Sequence, residues 1–215
     1  MEKLRGEAET KERLPPGQVL TQKWPVLTYG ATPQADLQTW TFRCFGLVDE
    51  EVSWTWKEFL ELPRVEVQSD IHCVTRWSRF DNRWEGVAVR EILRRVRVRP
   101  EAAAVLAHTE EGYTTNVSLT DIDAEDALLA FKHDGEDLPP EHGGPCRLVV
   151  PRFYFWKSAK WVRSFEFLDV NAPGFWEVNG YHLHADPWKE ERYSDQETDA
   201  MQRMRAESAR RRRGH

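Results

Sequence analysis

Residues 64–77, "RVEVQSDIHCVTRW", alternate apolar and polar side chains, and the fold turns on how that alternation is read. A period of two marks a strand with one buried face, whereas a surface helix repeats every three to four residues. Val65, Val67, Ser69, Ile71 and Cys73 then share the inward face, and Glu66, Gln68, Asp70 and His72 the outward one. Cys73 ends the strand, where a buried structural thiol and a functional thiolate both stand open. Past it "TRWSRFDNRWEG" reads as a long polar and aromatic loop before the helix "VAVREILRRV". Strand ends that open into loops are common places for sites, and Arg76 and His72 are near enough in sequence to lower a thiol pKa.

Outward from that strand, "LQTWTFRCFGLV" (37–48) sets Trp40, Phe42 and Cys44 on one strand face. "TWKEFLELP" predicts a short helix opened by a Thr55/Glu58 capping box and closed by Pro63. "AAVLAHT" and "YTTNVSL" read as a strand pair around "EEG", and Asp134-Gly135 as a hairpin turn. "CRLVVP" and "KWVRSFEFL" read as strands, the second with Trp161, Arg163, Phe165 and Phe167 on one face. No internal repeat is present. The expected class is α+β, mixed and β-rich. Residues 1–19 form a charged N-terminal extension, 20–190 one domain, and 191–215 a charged, partly helical tail.

A chain of 215 residues buries a core without covalent staples. Cys44, Cys73 and Cys146 are widely spaced and form no CxxC pair, which argues against a disulfide framework and a zinc ribbon and suits a reducing compartment. The charged start "MEKLRGEAETKERLPPGQ" lacks the apolar run of a secretory signal, and no stretch approaches a bilayer span, so a cytoplasmic protein is expected. A net charge of −6 argues against general nucleic-acid binding, although "RMRAESARRRRGH" is locally basic. Neither a G-x-S-x-G elbow, a P-loop nor a G-x-G-x-x-G is present. Ten tryptophans and ten phenylalanines suit a large core, an interface or a site for a flat ligand.

Arg147 follows two glycines and a proline in "HGGPCRL", and Lys157, Ser158 and Lys160 follow in "FWKSAKW". Fixed cations, a hydroxyl and approachable backbone suit an anion such as phosphate; a basic strand face without a ligand is the alternative. His133, His142, His182 and His184 fall at no standard zinc spacing.

Four ordered blocks, "DIHCVTRWSRFDNRWEGV", "HGGPCRLVVP", "KSAKWVRSFEFL" and "GFWEVNGYH", resemble the molybdopterin domain of the sulfite oxidase family, and its small haem-free bacterial members in particular. The resemblance covers about residues 20–190 and implies a molybdenum-molybdopterin cofactor with one pterin dithiolene and no haem. It implies that Cys73 supplies the protein thiolate to molybdenum, a soft ligand for a thiophilic metal. It puts His142 and Arg147 on the pterin, and Lys157, Ser158 and Lys160 on its phosphate. Thr28 and Tyr29 in "WPVLTYG" and Thr109 in "LAHTEEGY" fall near further pterin-contacting segments. Tyr181, five residues after Trp176, falls where the family carries an active-site tyrosine. Leu27 stands where sulfite oxidases place a substrate-binding arginine, which leaves Arg76, Arg79 and Arg152 as candidate substrate cations.

The expected activity is therefore two-electron oxygen-atom transfer on a small substrate, a sulfoxide, an S- or N-oxide or sulfite. Tyr181 and Arg76 would face that substrate. The chain stops short of the family's dimerisation and cytochrome domains, so a separate electron-transfer partner is expected, with neither nucleic acid nor a membrane span involved. A non-catalytic protein that keeps the molybdopterin fold to bind a cofactor or ligand is the alternative, motivated by Leu27.

Overall fold

The computed structural model describes residues 11–110 and 112–213. The first ten residues of the charged extension, Glu111 of the "EEG" turn and the last two residues of the tail lie outside the described residues. In chain order the strands are β1 (Val19–Leu20), β2 (Thr41–Gly46), β3 (Val52–Thr55), β4 (Arg64–His72), β5 (Trp77–Ala88), β6 (Ala104–Thr109), β7 (Thr114–Ser118), β8 (Leu128–His133), β9 (Glu136–Asp137), β10 (Arg147–Val149) and β11 (Val162–Leu168). Among them lie α1 (Trp56–Leu60), α2 (Val89–Arg95), α3 (Leu119–Ile122), α4 (Phe175–Val178) and α5 (Asp199–Arg213).

Two mixed sheets result. In one, β5 pairs with β4, β1 and β8, and β8 continues to β9 and β10; in the other the order is β3-β2-β11-β6-β7. Among the described residues only the β1/β5 and β2/β11 pairs are parallel. The main core packs Phe42 and Cys44 of β2 and Phe165 and Phe167 of β11 with Val87, Leu129 and Leu148 of the other sheet. The inward face read for β2 holds, with Trp40, Phe42 and Cys44 all buried. Thr55 accepts from the Glu58 backbone N–H while the Glu58 carboxylate accepts from the Thr55 N–H, so α1 opens on the expected capping box. Asp134 and Gly135 both take positive φ, 50° and 90°, as a two-residue hairpin turn requires.

Residues 77–88 differ from the expectation. Most of the expected loop 75–86 and the first two residues of the expected helix 87–96 are instead β5, antiparallel to β4 from His72↔Ser78 to Arg64↔Val87. The inward positions of this strand include polar residues: Ser78 and Asn82 are fully buried. Ser78 Oγ bonds His72 Nδ1 at 2.9 Å, and Asn82 donates to the Ser69 carbonyl at 3.2 Å. A face satisfied by hydrogen bonds carries no hydrophobic alternation, so it is invisible to a pattern search. The same pairing explains why His72 is buried although it was read on the outward face, since the β4/β5 register shifts between Ser69 and Ile71. On β11 a similar shift after Val162 puts Val162 in the core with Phe165 and Phe167, while Arg163 turns aside to the Thr41 carbonyl.

Candidate active site

The β4/β5 connection is a tight turn, and Cys73 opens it. Arg76 N–H donates to the Cys73 carbonyl at 3.0 Å and Cys73 N–H to the Trp77 carbonyl at 2.9 Å. Arg76 takes φ 73°, a left-handed conformation that costs a non-glycine residue on the order of 1 kcal/mol. Two distant side chains hold the turn from outside. Gln18 Nε2 donates to the Cys73 carbonyl (3.0 Å), and the buried Arg192 donates to the Val74 carbonyl (2.7 Å).

The second element is the turn from Pro139 to Arg147. Gly143 has φ 109°, and a Cβ on Gly144 would lie 2.0 Å from the Leu138 carbonyl oxygen, so no side chain fits there. This close approach lets Arg147 fold back. Its guanidinium donates to the carbonyls of His142 (2.7 Å) and Ser158 (2.8 Å) and sits 4.0 Å from the Phe155 ring. His142 stacks on Trp24 with centroids 3.8 Å apart. Lys160 Nζ donates to Leu27 O (2.9 Å), Thr28 Oγ1 (2.8 Å) and Glu141 O (2.6 Å), and so ties the loop around residues 24–29 across the same space.

These elements enclose a cavity of about 510 Å³. Cys73, Thr28, Tyr29, His142, Arg147, Ser158, Lys160 and Tyr181 all line it, although they come from five separate stretches of chain. Leu27 lines it too and is half exposed. Tyr181 is wedged between Trp176 (5.2 Å, stacked) and Trp156 (4.9 Å, edge-on).

Three expected site residues are not among the cavity lining. Lys157 is buried with its ammonium turned inward, 2.7 Å from Glu177 Oε1 and donating to Asn116 Oδ1 and the Leu183 carbonyl, both at 2.8 Å. It is a strut behind the cavity wall, buried and absent from the lining, whereas Lys160 lies in it. Arg76 is exposed, and its guanidinium lies beside Gly17, outside the cavity lining. Thr109 ends β6 with its hydroxyl donating to the Tyr113 carbonyl (3.1 Å), and Gly112 and Tyr113 line the cavity in its place. Of the other candidate cations, Arg79 pairs with Asp134 and Arg152 with Asp121, and neither lines the cavity.

Sequence reading missed Trp24, Tyr113, Trp156 and Trp176 in the lining, and Gln18 and Arg192 behind Cys73. The aromatic richness signals that such walls exist without saying where. Arg192 gives no sequence signal, since its partner lies 118 residues away.

Burial shapes the electrostatics. It lowers the Arg147 pKa to about 9, against which Tyr113 and Cys73 act, so the guanidinium stays charged at neutral pH. Lys160 falls to about 8 through burial and the neighbouring Arg147. His142 falls to about 4, from burial and then Arg147 and Lys160, and is neutral. Burial raises the Cys73 thiol, opposed by the Thr75 hydroxyl 3.1 Å from Sγ and by Arg147 and Arg192. Cys44 and Cys146 are pushed up by burial, the first with no opposing group and the second against Arg163 alone. Burial, Tyr193 and Cys73 raise Tyr181, which keeps its proton.

Two polar atoms in this wall, His142 Nδ1 and Arg147 Nε, are buried without a hydrogen-bond partner. Such groups are costly unless a ligand satisfies them. A thiol, cations, a neutral imidazole and aromatic side chains in one lining suit a planar, polar, anionic group that carries a soft metal. Among the described residues no cluster of three or more His, Cys, Asp or Glu side chains could hold a metal by itself.

The chain matches the family model of the oxidoreductase molybdopterin binding domain over residues 29–176, more than half its length. It is 47% identical over 189 residues to the uncharacterized oxidoreductase YuiH of Bacillus subtilis (strain 168), a match covering 87% of this chain and 96% of that protein. It is 26% identical over 170 residues to a protein of Azospira oryzae, YedZ1, provisionally described as a protein-methionine-sulfoxide reductase subunit, covering 78% of this chain and 64% of that one. The fold is similar to that of the sulfane dehydrogenase SoxCD of Paracoccus pantotrophus, with a TM-score of 0.59 at 24% identity over 64% of this chain and 40% of that one.

Proposed function

The chain belongs to the oxidoreductase molybdopterin-binding domain family, of the sulfite oxidase type, and from that premise we propose that it transfers an oxygen atom from a small neutral acceptor, a sulfoxide or N-oxide, in a two-electron reduction. The protein is a molybdopterin-dependent oxidoreductase. The observation that carries the finer reading is that the Cys73 thiol and the Tyr181 ring line the same cavity as His142 and Arg147, the two residues with unsatisfied buried nitrogens. Molybdenum on its pterin, when bound, supplies the two-electron redox chemistry; the protein binds, orients and tunes it.

In this reading Cys73 is the metal's protein ligand, and Gln18 and Arg192 hold the carbonyls of Cys73 and Val74, as partners behind a ligand do. His142 and Arg147 offer Nδ1 and Nε to the pterin, and Lys160 with the Ser158 segment and Thr28 holds its anionic end. Tyr29, which contacts Phe175 and Trp176, closes the mouth. Tyr181 keeps its phenolic proton and donates it as a hydrogen bond to the substrate oxygen. Over a turnover the acceptor takes up two electrons and two protons and leaves as the deoxygenated product and water.

A neutral acceptor is favoured over sulfite by the mouth, where Val26, Leu27 and Tyr29 are exposed and Leu27 replaces a cation. The relative described as a methionine-sulfoxide reductase subunit points the same way. We take residues 20–190 as the cofactor-binding unit, with electrons from an external carrier and no haem of its own, working in the cytoplasm. Among the described residues no helix is long and apolar enough to cross a membrane.

The test is metal and pterin analysis of protein from a cofactor-competent host, followed by a dye-linked assay over sulfoxides, N-oxides and sulfite. Turnover of neutral oxides well above sulfite is expected. Molybdenum-loaded protein that turns over sulfite alone would sink the substrate assignment.

A further inference from the structure

One polar side chain of the cavity wall has no task in holding the pterin. Thr75 lines the cavity, two residues past Cys73 in the β4/β5 turn, and its Oγ1 lies 3.1 Å from Cys73 Sγ. The residue is exposed, so it fills no place in the core. Between a thiol and a hydroxyl either group can donate. A sulfur bound to a metal carries no proton, which leaves the hydroxyl as the donor.

The turn fixes this contact through its backbone. Arg76 N–H and Gln18 Nε2 both donate to the Cys73 carbonyl at 3.0 Å, and Arg192 donates to the Val74 carbonyl at 2.7 Å. The two peptide groups between Cys73 and Thr75 are therefore pinned. A β-branched side chain also has few χ1 positions open to it, so the hydroxyl is held where the sulfur can use it.

We infer that Thr75 is a positioning residue: its hydroxyl donates a hydrogen bond to the Cys73 thiolate and thereby raises the reduction potential of the metal that this sulfur holds. The inference rests on the functional reading above and adds a group that tunes the same site. A hydrogen bond to a ligating sulfur draws electron density from it, so the sulfur gives less to the metal and the reduced states are favoured. Gln18 and Arg192 act on carbonyls of the turn, whereas Thr75 reaches the ligating atom itself. Removing the hydroxyl leaves the ligand in place, so the potential moves while the metal stays bound. A threonine that merely packs the turn would act through its shape, and its hydroxyl would be dispensable.

The test compares loaded holoenzyme of the parent with Thr75→Val, which keeps the shape and removes the hydroxyl, and with Thr75→Ser, which keeps the hydroxyl. Potentiometric titration followed by electron paramagnetic resonance reads the metal's potential, and absorption spectroscopy reads the sulfur-to-metal charge-transfer band. At the parent's midpoint the ratio of reduced to oxidised metal is expected to fall about threefold or more in Thr75→Val, and the band to move to longer wavelength. Thr75→Ser keeps both near the parent's values. Molybdenum content and melting temperature stay level in both variants, because the residue is exposed. Unchanged potential and band in Thr75→Val overturn the inference, as does a Thr75→Ser protein displaced as far as Thr75→Val, which would assign the effect to shape. A molybdenum-free parent fails the functional reading instead. The hydrogen bond is then judged on the apoprotein, by the rate at which iodoacetamide alkylates Cys73 at neutral pH, read by mass spectrometry. Without the hydroxyl the thiolate is scarcer, and its greater nucleophilicity recovers only about half of that loss, so Thr75→Val should react more slowly than the parent and Thr75→Ser like it. Equal rates in parent and Thr75→Val overturn the inference.

Discussion

Removing the Lys157 ammonium should destabilise the protein, whereas removing that of Lys160 should loosen its hold on the cofactor. Lys157 and Glu177 are both buried and meet at 2.7 Å. Truncating one partner of such a pair leaves an uncompensated buried charge, at a cost of about 3–5 kcal/mol. Trp156 Nε1 still donates to the same carboxylate oxygen at 2.7 Å, which puts Lys157→Ala near the lower end. For a chain of this size about 3 kcal/mol lowers the melting temperature by roughly 6–12 °C. Lys160 has its three acceptors at the cavity edge, and its loss should cost about 1 kcal/mol or less. Thermal melts and molybdenum content of both variants, each normalised to folded protein, make the comparison. Lys157→Met with Glu177→Leu, which removes both charges, should recover most of the lost stability and keep the metal. A Lys157→Ala protein that melts like the parent but has lost its pterin, beside a Lys160→Ala protein that keeps it, would refute the reasoning.

Cys73→Ser should abolish turnover and change the metal's electronic spectrum; Cys44→Ser and Cys146→Ser should leave the spectrum alone and cost about 1–3 kcal/mol for a hydroxyl in a buried site, read by urea titration. Equal spectral effects at all three would remove Cys73 as the ligand. Lys160 is charged below about pH 8, so phosphate affinity of the apoprotein should weaken as pH rises through that value, and Lys160→Ala should flatten the profile. For stability the sign is opposite: the unfolded chain holds this proton up to about 10.5, so the Lys160 contribution rises with pH between about 8 and 10.5. Gly144→Ala drives a Cβ against the Leu138 carbonyl; the turn must shift, and pterin content should fall even where circular dichroism shows a folded protein.

Several elements were legible in the chain because their cause is local. The β2 face, the Thr55/Glu58 capping box and the Asp134-Gly135 turn each depend on side chains a few residues apart, and each stands where the pattern put it. The resemblance carried by four short blocks also pointed to Cys73, His142, Arg147, Ser158, Lys160 and Tyr181, which share one cavity. Only the tertiary structure could separate Lys157 from Lys160, three residues apart in one motif. The first meets a carboxylate buried on α4, and the second meets a loop from the other end of the chain. β5 escaped the pattern because its inward polar groups are satisfied by strand partners, not by neighbours in sequence. Gln18 and Arg192 were silent for the same reason: their value lies in two carbonyls at the Cys73 turn. Local rules fix the period, caps and turns of a chain. Which charge is neutralised, which hydroxyl is buried and which cation faces a ligand depend on contacts that sequence distance does not encode.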